Sequence, residues 1–514
     1  MTQIGRRGED EVAETNKQIR TTAATSTPSK TFSSLGVEPS LVAALKAMSI
    51  TSPSEIQERA IPDILAGRDC IGSSHTGSGK TIAFAIPILQ SLSKDPAAGF
   101  CLILTPTREL AFQIGSQFKA LGSIAVPGFT HSVIVGGMDM ISQAIELNQR
   151  PHIIIATPGR LVDHLRSTEG EVGKWNLKRC KFLVLDEADR MLTSTFSEPL
   201  AYLINEQLPP PSERQTLLFT ATVTEPVMGL AQKTHPGKPK AAVHLCGPAQ
   251  INLPTALKQF YSFIPSQVKD VYLYYLLINL CNLTGLSLPP KPKPSTSQSQ
   301  NYRKKPVKYS NRAKRLIGED EEDDPILNLP QTIIFVSRPR TAESIHLMLE
   351  SSQLPYQIPS RCLHSNQSQN KRLESIREFE ERKVRVLVST ELGSRGLDLK
   401  QVKAVINWDL PLDPNEYVHR VGRTARKSRT GGDEDGISIS FVCERDLKVV
   451  LRIEERIGMK LEEIKLEEEK VLEFLNPIKK ADREAQLELD EMKFGEKQRI
   501  NKLKYSKKQK LLKD

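Results

Sequence analysis

One stretch, Ser74-His75-Thr76-Gly77-Ser78-Gly79-Lys80-Thr81, restricts what this chain can fold into more than any other. Asp69-Cys70-Ile71-Gly72 before it reads as a short strand end, and Ile82-Ala83-Phe84-Ala85-Ile86 after it reads as an apolar helix. A glycine-rich turn that delivers Lys-Thr from a strand to a helix N-terminus is a phosphate cradle. Gly77 and Gly79 let backbone N–H groups point inward at close range, and the helix adds the positive end of its dipole. Ser74, His75, Thr76, Gly77, Ser78 and Gly79 form the loop, and Lys80 is placed to reach β- and γ-phosphates. The Thr81 hydroxyl is placed to ligate Mg2+. The usual pattern has Gly where this chain has Ser74.

Such a loop needs a parallel sheet around it, and the sequence supplies two series of strands. Between Phe32 and about 243, helical stretches alternate with the apolar runs Cys101–Leu104, His131–Val135, Ile153–Ile155, Phe182–Leu185 and Thr216–Phe219. A second series from about Lys258 contains Thr332–Val336, Val384–Val388, Ala404–Asn407 and Ile437–Phe441. Uninterrupted β-rich runs separated by helices indicate sheets covered on both faces. At 514 residues the chain has room for more than one such domain.

The expected organisation is an α/β protein of two doubly wound parallel-sheet domains at 31–243 and 258–446, joined by a linker at 244–257. Residues 1–30 read as a disordered tail, 287–325 as a mobile insertion ending in the acidic run Glu319–Asp324, and 447–514 as a charged helical extension with a lysine-rich end. The seven cysteines are scattered without zinc-ligand spacing, and no apolar run is long enough to span a bilayer. A soluble intracellular protein with no membrane association is expected. The net charge of +10 favours a polyanionic partner.

Past the run Phe182–Leu185 stand Asp186-Glu187-Ala188-Asp189, at the carboxyl edge where doubly wound sheets bind ligands. Asp186 is suited to hold Mg2+ largely through water, together with Thr81. Glu187 is suited to orient and deprotonate a water that attacks a phosphoanhydride.

With these residues the chain resembles the DEAD-box RNA helicases, superfamily 2 enzymes, from about Phe32 to about Cys443. The resemblance implies tandem RecA-like domains and an ATP hydrolase whose cofactors are ATP and Mg2+. It implies that Gln57, in Ser52-Pro53-Ser54-Glu55-Ile56-Gln57, reads the adenine edge while Phe32 packs on the ring. It implies RNA-backbone contacts from Thr107 and Arg108, from Gly137 in Gly136-Gly137, and from Thr157 and Arg160. Thr220-Ala221-Thr222 resembles the segment that couples the two activities, with Thr in place of the family's usual Ser.

In the second half, His364 with Gln369 and Arg372 resembles an RNA-side motif. Ser389 to Asp398 resembles one in which Thr390 and Arg395 work near RNA and Asp398 touches the ribose. That segment carries Glu391 and Gly393 where the family usually has Asp and Ala. His419-Arg420-Val421-Gly422-Arg423-Thr424-Ala425-Arg426 resembles the arginine-finger motif, with Arg423 and Arg426 facing the γ-phosphate and His419 the Thr220 segment.

The resemblance therefore implies RNA-stimulated ATP hydrolysis coupled to local duplex unwinding or ribonucleoprotein remodelling. Two other readings stand beside it: an ATP-gated RNA clamp serving as an assembly platform, and a DNA helicase with the same engine. Phe182 to Phe196 is most similar to the nucleolar branch acting in small-subunit ribosome assembly. That implies a nuclear, nucleolar monomer acting in pre-rRNA processing, with pre-rRNA or an associated ribonucleoprotein as partner, and a protein activator.

Overall fold

The computed structural model describes residues 30–74, 77–167, 175–232 (backbone only at 231–232), 239–246, 256–285, 329–390, 399, 402–425, 435–492 and 494. The expected tail at 1–30 (but for residue 30), the insertion at 287–325 and the lysine-rich end from 497 lie outside them.

The first sheet contains β1 (Cys70–Ser73), β2 (Cys101–Leu104), β3 (His131–Ile134), β4 (Ile153–Ala156), β5 (Phe182–Asp186), β6 (Gln215–Thr220) and β7 (Ala242–Leu245). Its order is β3-β4-β2-β5-β6-β1-β7, with every pairing parallel. The second contains β8 (Leu257–Phe263), β9 (Thr332–Val336), β10 (Ser360–Leu363), β11 (Val386–Thr390), β12 (Ala404–Asn407), β13 (Gly436–Val442) and β14 (Glu462–Glu463). Its order, β10-β11-β9-β12-β13-β8-β14, is again wholly parallel.

Each sheet divides its strand residues between two cores, because successive side chains on a strand point to opposite faces. Phe182 and Val184 enter one cluster with Ile103 and Phe84, while Leu183 and Leu185 enter another with Leu102 and Met191. In the second sheet Ile334 and Val336 join Tyr274 and Met348, whereas Ile333 and Phe335 join Phe379 and Leu387. Central strands read as unbroken apolar runs for this reason, and β2, β9 and β12 have the bounds that the sequence indicates.

Three boundaries differ from expectation. Residues 244–246 belong to the first sheet's edge, where Cys246 N–H donates to the Ser73 carbonyl, and β8 begins at Leu257, so the connection is shorter than 244–257. β11 lies two residues later than the run Val384–Val388, because Val384 packs in the cluster below the strand. The second domain does not stop at 446. The helix Leu447–Ile457 contributes Val450 and Ile453 to a cluster with Tyr417, and the helix Leu475–Glu491 buries Ile478, Ala481 and Ala485 with Tyr274 and Met348.

Candidate nucleotide and nucleic-acid site

Adjacent pairing of β5, β6 and β1 fixes the geometry of the first half. Ser73 pairs with Thr220, and Asp186 pairs with Phe219, so the loop after β1, the Thr220 segment and the acids after β5 open on one carboxyl edge. Neighbouring strands stand about 4.8 Å apart, which brings three segments distant in sequence within reach of one ligand.

Gly77 (φ 80°) and Gly79 (φ 90°) are left-handed, the conformation their place in the loop requires. A Cβ on Gly79 would meet the Gln57 amide nitrogen, the end of a flexible side chain, so the left-handed backbone is what favours glycine here. Lys80 Nζ donates to the Ser74 carbonyl at 2.6 Å, and the Ser74 and Ser78 hydroxyls are 2.6 Å apart. Burial pulls the Lys80 ammonium below its usual pKa; Asp186, Glu187 and Asp189 oppose that shift, and Arg423 adds to it. Thr81 is half-buried in the first turn of the helix Lys80–Lys94. His75 and Thr76 lie outside the described residues.

Gln57 closes the capping box of the helix Glu55–Leu65: its Oε1 accepts from Ser54 N–H and its Nε2 donates to the Gly79 carbonyl, both at 3.0 Å. The amide is thus locked to the loop and must exchange these bonds to read a base. Phe32 is 2% exposed in the core beside Leu35 and Leu41, with no free ring face. The sequence reading has this ring against the adenine.

Asp186 is buried, accepts from Glu187 N–H at 3.1 Å, and has its carboxyl pushed up to about 7 by burial, with Lys80 opposing and Glu187 adding. Glu187 sits at φ 52°, ψ 52°, left-handed backbone that costs a non-glycine residue about 1–2 kcal/mol and turns the side chain out of the strand line. Asp189 accepts from the Thr222 hydroxyl, while Thr220 Oγ1 donates to the Thr222 carbonyl at 2.7 Å and accepts its N–H at 3.1 Å. Thr220 therefore keeps the hydroxyl geometry that a serine would supply, fully buried. Ala221 is half-buried between these two threonines.

Across the cleft, Arg423 is buried and within electrostatic reach of Lys80, so the second sheet delivers a guanidinium to the first sheet's phosphate loop. It follows the helix Pro414–Val421, which also carries the half-buried His419. Arg420 anchors that helix, donating to the Asp409 carbonyl at 2.7 Å and lying over the Phe335 ring. Arg426, Arg395 and Asp398 lie outside the described residues, as do Glu391 and Gly393.

The nucleic-acid candidates divide. Arg108 lies over the Gly136-Gly137 pair: a Cβ on Gly137 (φ 82°) would meet its Nη1 at 2.4 Å. Thr107, buried, stands just before the helix Arg108–Ala125, and the half-buried Thr157 donates its N–H to the Ile134 carbonyl. Arg160 is engaged internally, with Nη2 to the Met138 carbonyl at 2.7 Å and Nε to Gln143 Oε1 at 3.0 Å, so it shapes the loop after β3. Thr390 is buried at the end of β11, its Oγ1 without a hydrogen-bond partner among the described residues.

Gln369 and Arg372 do not face outward; both reach Glu109 of the first domain, at 2.8 Å and 3.0 Å. Glu109 is 2% exposed, so this is a buried tie between the domains. The sequence reading missed it, although an acid beside Arg108 at a helix start was in view. His364 supports the same region: its Nδ1 accepts from Asn366 N–H, which puts the proton on Nε2, and that donates to Glu343 at 2.6 Å. Cys362 lies 2.9 Å from the same oxygen, so the thiol and the imidazole share one Glu343 carboxylate oxygen.

A phosphate loop on one RecA-like sheet, answered by an arginine from a second sheet of like topology, defines a two-domain nucleotide-driven motor. Comparison with known proteins agrees. Residues 54–230 match the family model described as DEAD/DEAH box helicase, and residues 325–428 match the helicase conserved C-terminal domain. The chain is 44% identical to the ATP-dependent RNA helicase DBP8 of Mycosarcoma maydis over 92% of its length and 88% of the relative's. It is also 44% identical to that of Schizosaccharomyces pombe, over 91% of each chain. Among solved structures it is similar to S. cerevisiae Dbp5 bound to RNA and ADP BeF3, with 26% identity and TM-score 0.65 over 88% of this chain and 99% of that one. Mss116p bound to ssRNA and AMP-PNP gives 25% identity and TM-score 0.68 over 88% and 83%. The chain belongs to the DEAD/DEAH box helicase family.

Proposed function

We propose that this protein opens short RNA duplexes, or strips protein from RNA, during small-subunit ribosome assembly in the nucleolus. It is an ATP-dependent RNA helicase, and it hydrolyses ATP. The observation that carries the reading is the juxtaposition of Lys80, Asp186 and Glu187 on one sheet edge with Arg423 from the other.

In the mechanism we infer, Lys80 and the loop Ser74 to Gly79 hold the polyphosphate, while Gln57 reports adenine occupancy to the loop through Gly79. Glu187 orients water and takes its proton as the water oxygen bonds to the γ-phosphorus; the bond to the ADP oxygen breaks, with Arg423 and Arg426 countering charge on the transferred group. The donor set fits Mg2+, because buried Asp186 has Glu187 and Asp189 nearby and a carboxyl destabilised by burial. Thr81 and Asp186 would hold the ion, and its chemistry there would be to neutralise phosphate charge. Closure is needed to bring Arg423 into place, and the buried Glu109 tie to Gln369 and Arg372 completes with it. RNA held by Thr107, Arg108, Gly137, Thr157 and Arg160 on one half, and by Thr390 and Arg395 on the other, then promotes the same closed state as ATP. Thr220, Thr222 and His419 sit between the two ligands.

The test is ATP turnover with and without RNA, run beside release of a labelled strand from a short duplex. RNA-stimulated turnover with strand release is expected. ATP-dependent RNA retention without release would instead favour the clamp, and equal stimulation by DNA would overturn the RNA assignment. Crosslinking in cells to pre-rRNA checks the place of action.

A further inference from the structure

Glu187 is held by a residue outside the phosphate-contacting set. Its φ of 52° begins a single helical turn, Ala188–Met191, whose two ends, Ala188 and Met191, are completely buried in the core. Within that turn Arg190 is pinned at both ends of its backbone: its N–H donates to the Glu187 carbonyl at 2.9 Å, and its carbonyl accepts the Thr193 hydroxyl at 2.8 Å. The side chain returns over the turn, and Nη1 meets Glu187 Oε2 at 3.3 Å. Among the described residues no other side chain hydrogen-bonds the Glu187 carboxylate.

We propose that Arg190 is a positioning residue for the hydrolytic step, fixing the Glu187 carboxylate through one oxygen and leaving the other for the attacking water. This extends the assignment of Glu187 as the water-orienting group. Three carboxylates, Asp186, Glu187 and Asp189, share this edge, and mutual repulsion favours swinging the least constrained one toward solvent. Asp186 is fixed by Glu187 N–H and Asp189 by Thr222; Lys80 lends Glu187 opposite charge, and among the described residues Arg190 is the side chain that hydrogen-bonds its carboxylate. An exposed i,i+3 pair does little, but these side chains are only 23% and 17% exposed, where a single-point ion pair can hold a rotamer. On this proposal Arg190 acts through Glu187, so its loss acts on turnover.

The experiment is a double-mutant cycle in the full-length chain, with RNA-stimulated ATPase kinetics and nucleotide affinity read for Arg190→Gln, Arg190→Lys, Glu187→Gln and Glu187→Gln/Arg190→Gln. Arg190→Gln should lower kcat on the order of tenfold, as expected for a charged hydrogen bond, with KM for ATP within about twofold of the parent. Arg190→Lys should recover much of the loss. In the Glu187→Gln background, Arg190→Gln should change nothing further, which a general packing defect would not reproduce. Parental kcat in Arg190→Gln, or an equal loss in both backgrounds, overturns the inference and leaves Glu187 in place. Parental turnover in Glu187→Gln removes the Glu187 assignment and this inference with it.

Discussion

Lys80 and Glu187 are neighbours in the site but differ in what they can do, one a cation among phosphates and the other a carboxylate at the edge of a turn. Lys80→Ala is therefore expected to weaken nucleotide binding, whereas Glu187→Gln binds ATP and stalls hydrolysis; nucleotide titration and single-turnover assays separate them. Asp186 allows a thermodynamic test. Its folded pKa of about 7 lies above the ordinary 3.8, so the nucleotide-free protein binds an additional proton on folding through this group. That contribution is fully present below the unfolded pKa and is lost as pH rises through the folded one. Asp186→Asn, which keeps the shape without the charge, should gain stability over the parent from pH 5 to pH 8 by roughly 1–3 kcal/mol, since a one-proton difference between the folded and unfolded chain changes stability by about 1.4 kcal/mol for each pH step. Thermal melts at the two pH values in the absence of nucleotide and magnesium measure it, and a pH-independent difference would remove the buried-carboxylate assignment.

Between elements, the pairing of Glu109 with Gln369 and Arg372 matters most for coupling, because it joins the first turn of a helix in one domain to the first turn of a helix in the other. Removing one partner of a buried ion pair leaves the other desolvated, whereas removing both does not. Glu109→Gln should lower RNA-stimulated turnover roughly tenfold, leave each domain's melting unchanged, and combine with Arg372→Gln to give less than the product of the two losses. Multiplicative losses would mean that the contact is incidental. This tie also shows where the sequence stops being legible. The phosphate loop and the acids after β5 are local patterns whose chemistry lies in adjacent residues; Lys80 stands at a helix start and Asp186 at a strand end, as their spacing indicates. The partners Glu109 and Gln369 are 260 positions apart, and nothing in either segment names the other. Strands follow the same rule: β2, β9 and β12 are buried on both faces and read as apolar runs, but β7 at the sheet edge is half exposed and β10 begins Ser360-Arg361, so neither produces a run. Phe32 reads as a ligand contact from its position and packs in the core, because an aromatic residue before a helix suits either role.

At the scale of the whole molecule, the segment after the second sheet contains a helix that completes the fold and, from Lys497, a lysine-rich sequence. The helix Leu475–Glu491 lays Ile478, Ala481, Ala485 and Leu489 on the second domain, and polar contacts fix its register: Arg340 to Asp490 at 2.6 Å, Ser351 to Glu484 at 2.6 Å and Lys479 to Asp270 at 2.8 Å. Past it, Phe494 meets the His364 ring edge-on at 5.6 Å. From Lys497 on, the sequence carries Lys497, Arg499, Lys502, Lys504, Lys507, Lys508, Lys510 and Lys513, with no acid until Asp514. Such a run of cations is expected to add affinity for any RNA backbone by releasing counterions, with a salt slope of about 0.7 per phosphate neutralised on a single strand. Two truncations then separate the parts. Ending the chain after Glu473 should lower the melting temperature of the second domain, since four buried apolar side chains are lost. Ending it after Gly495 should leave melting and RNA-independent ATP hydrolysis as they are, while RNA affinity falls and its dependence on salt flattens. RNA titrations at several salt concentrations check this, and superimposable slopes for the parent and the shorter chain would show that the lysines do not touch RNA.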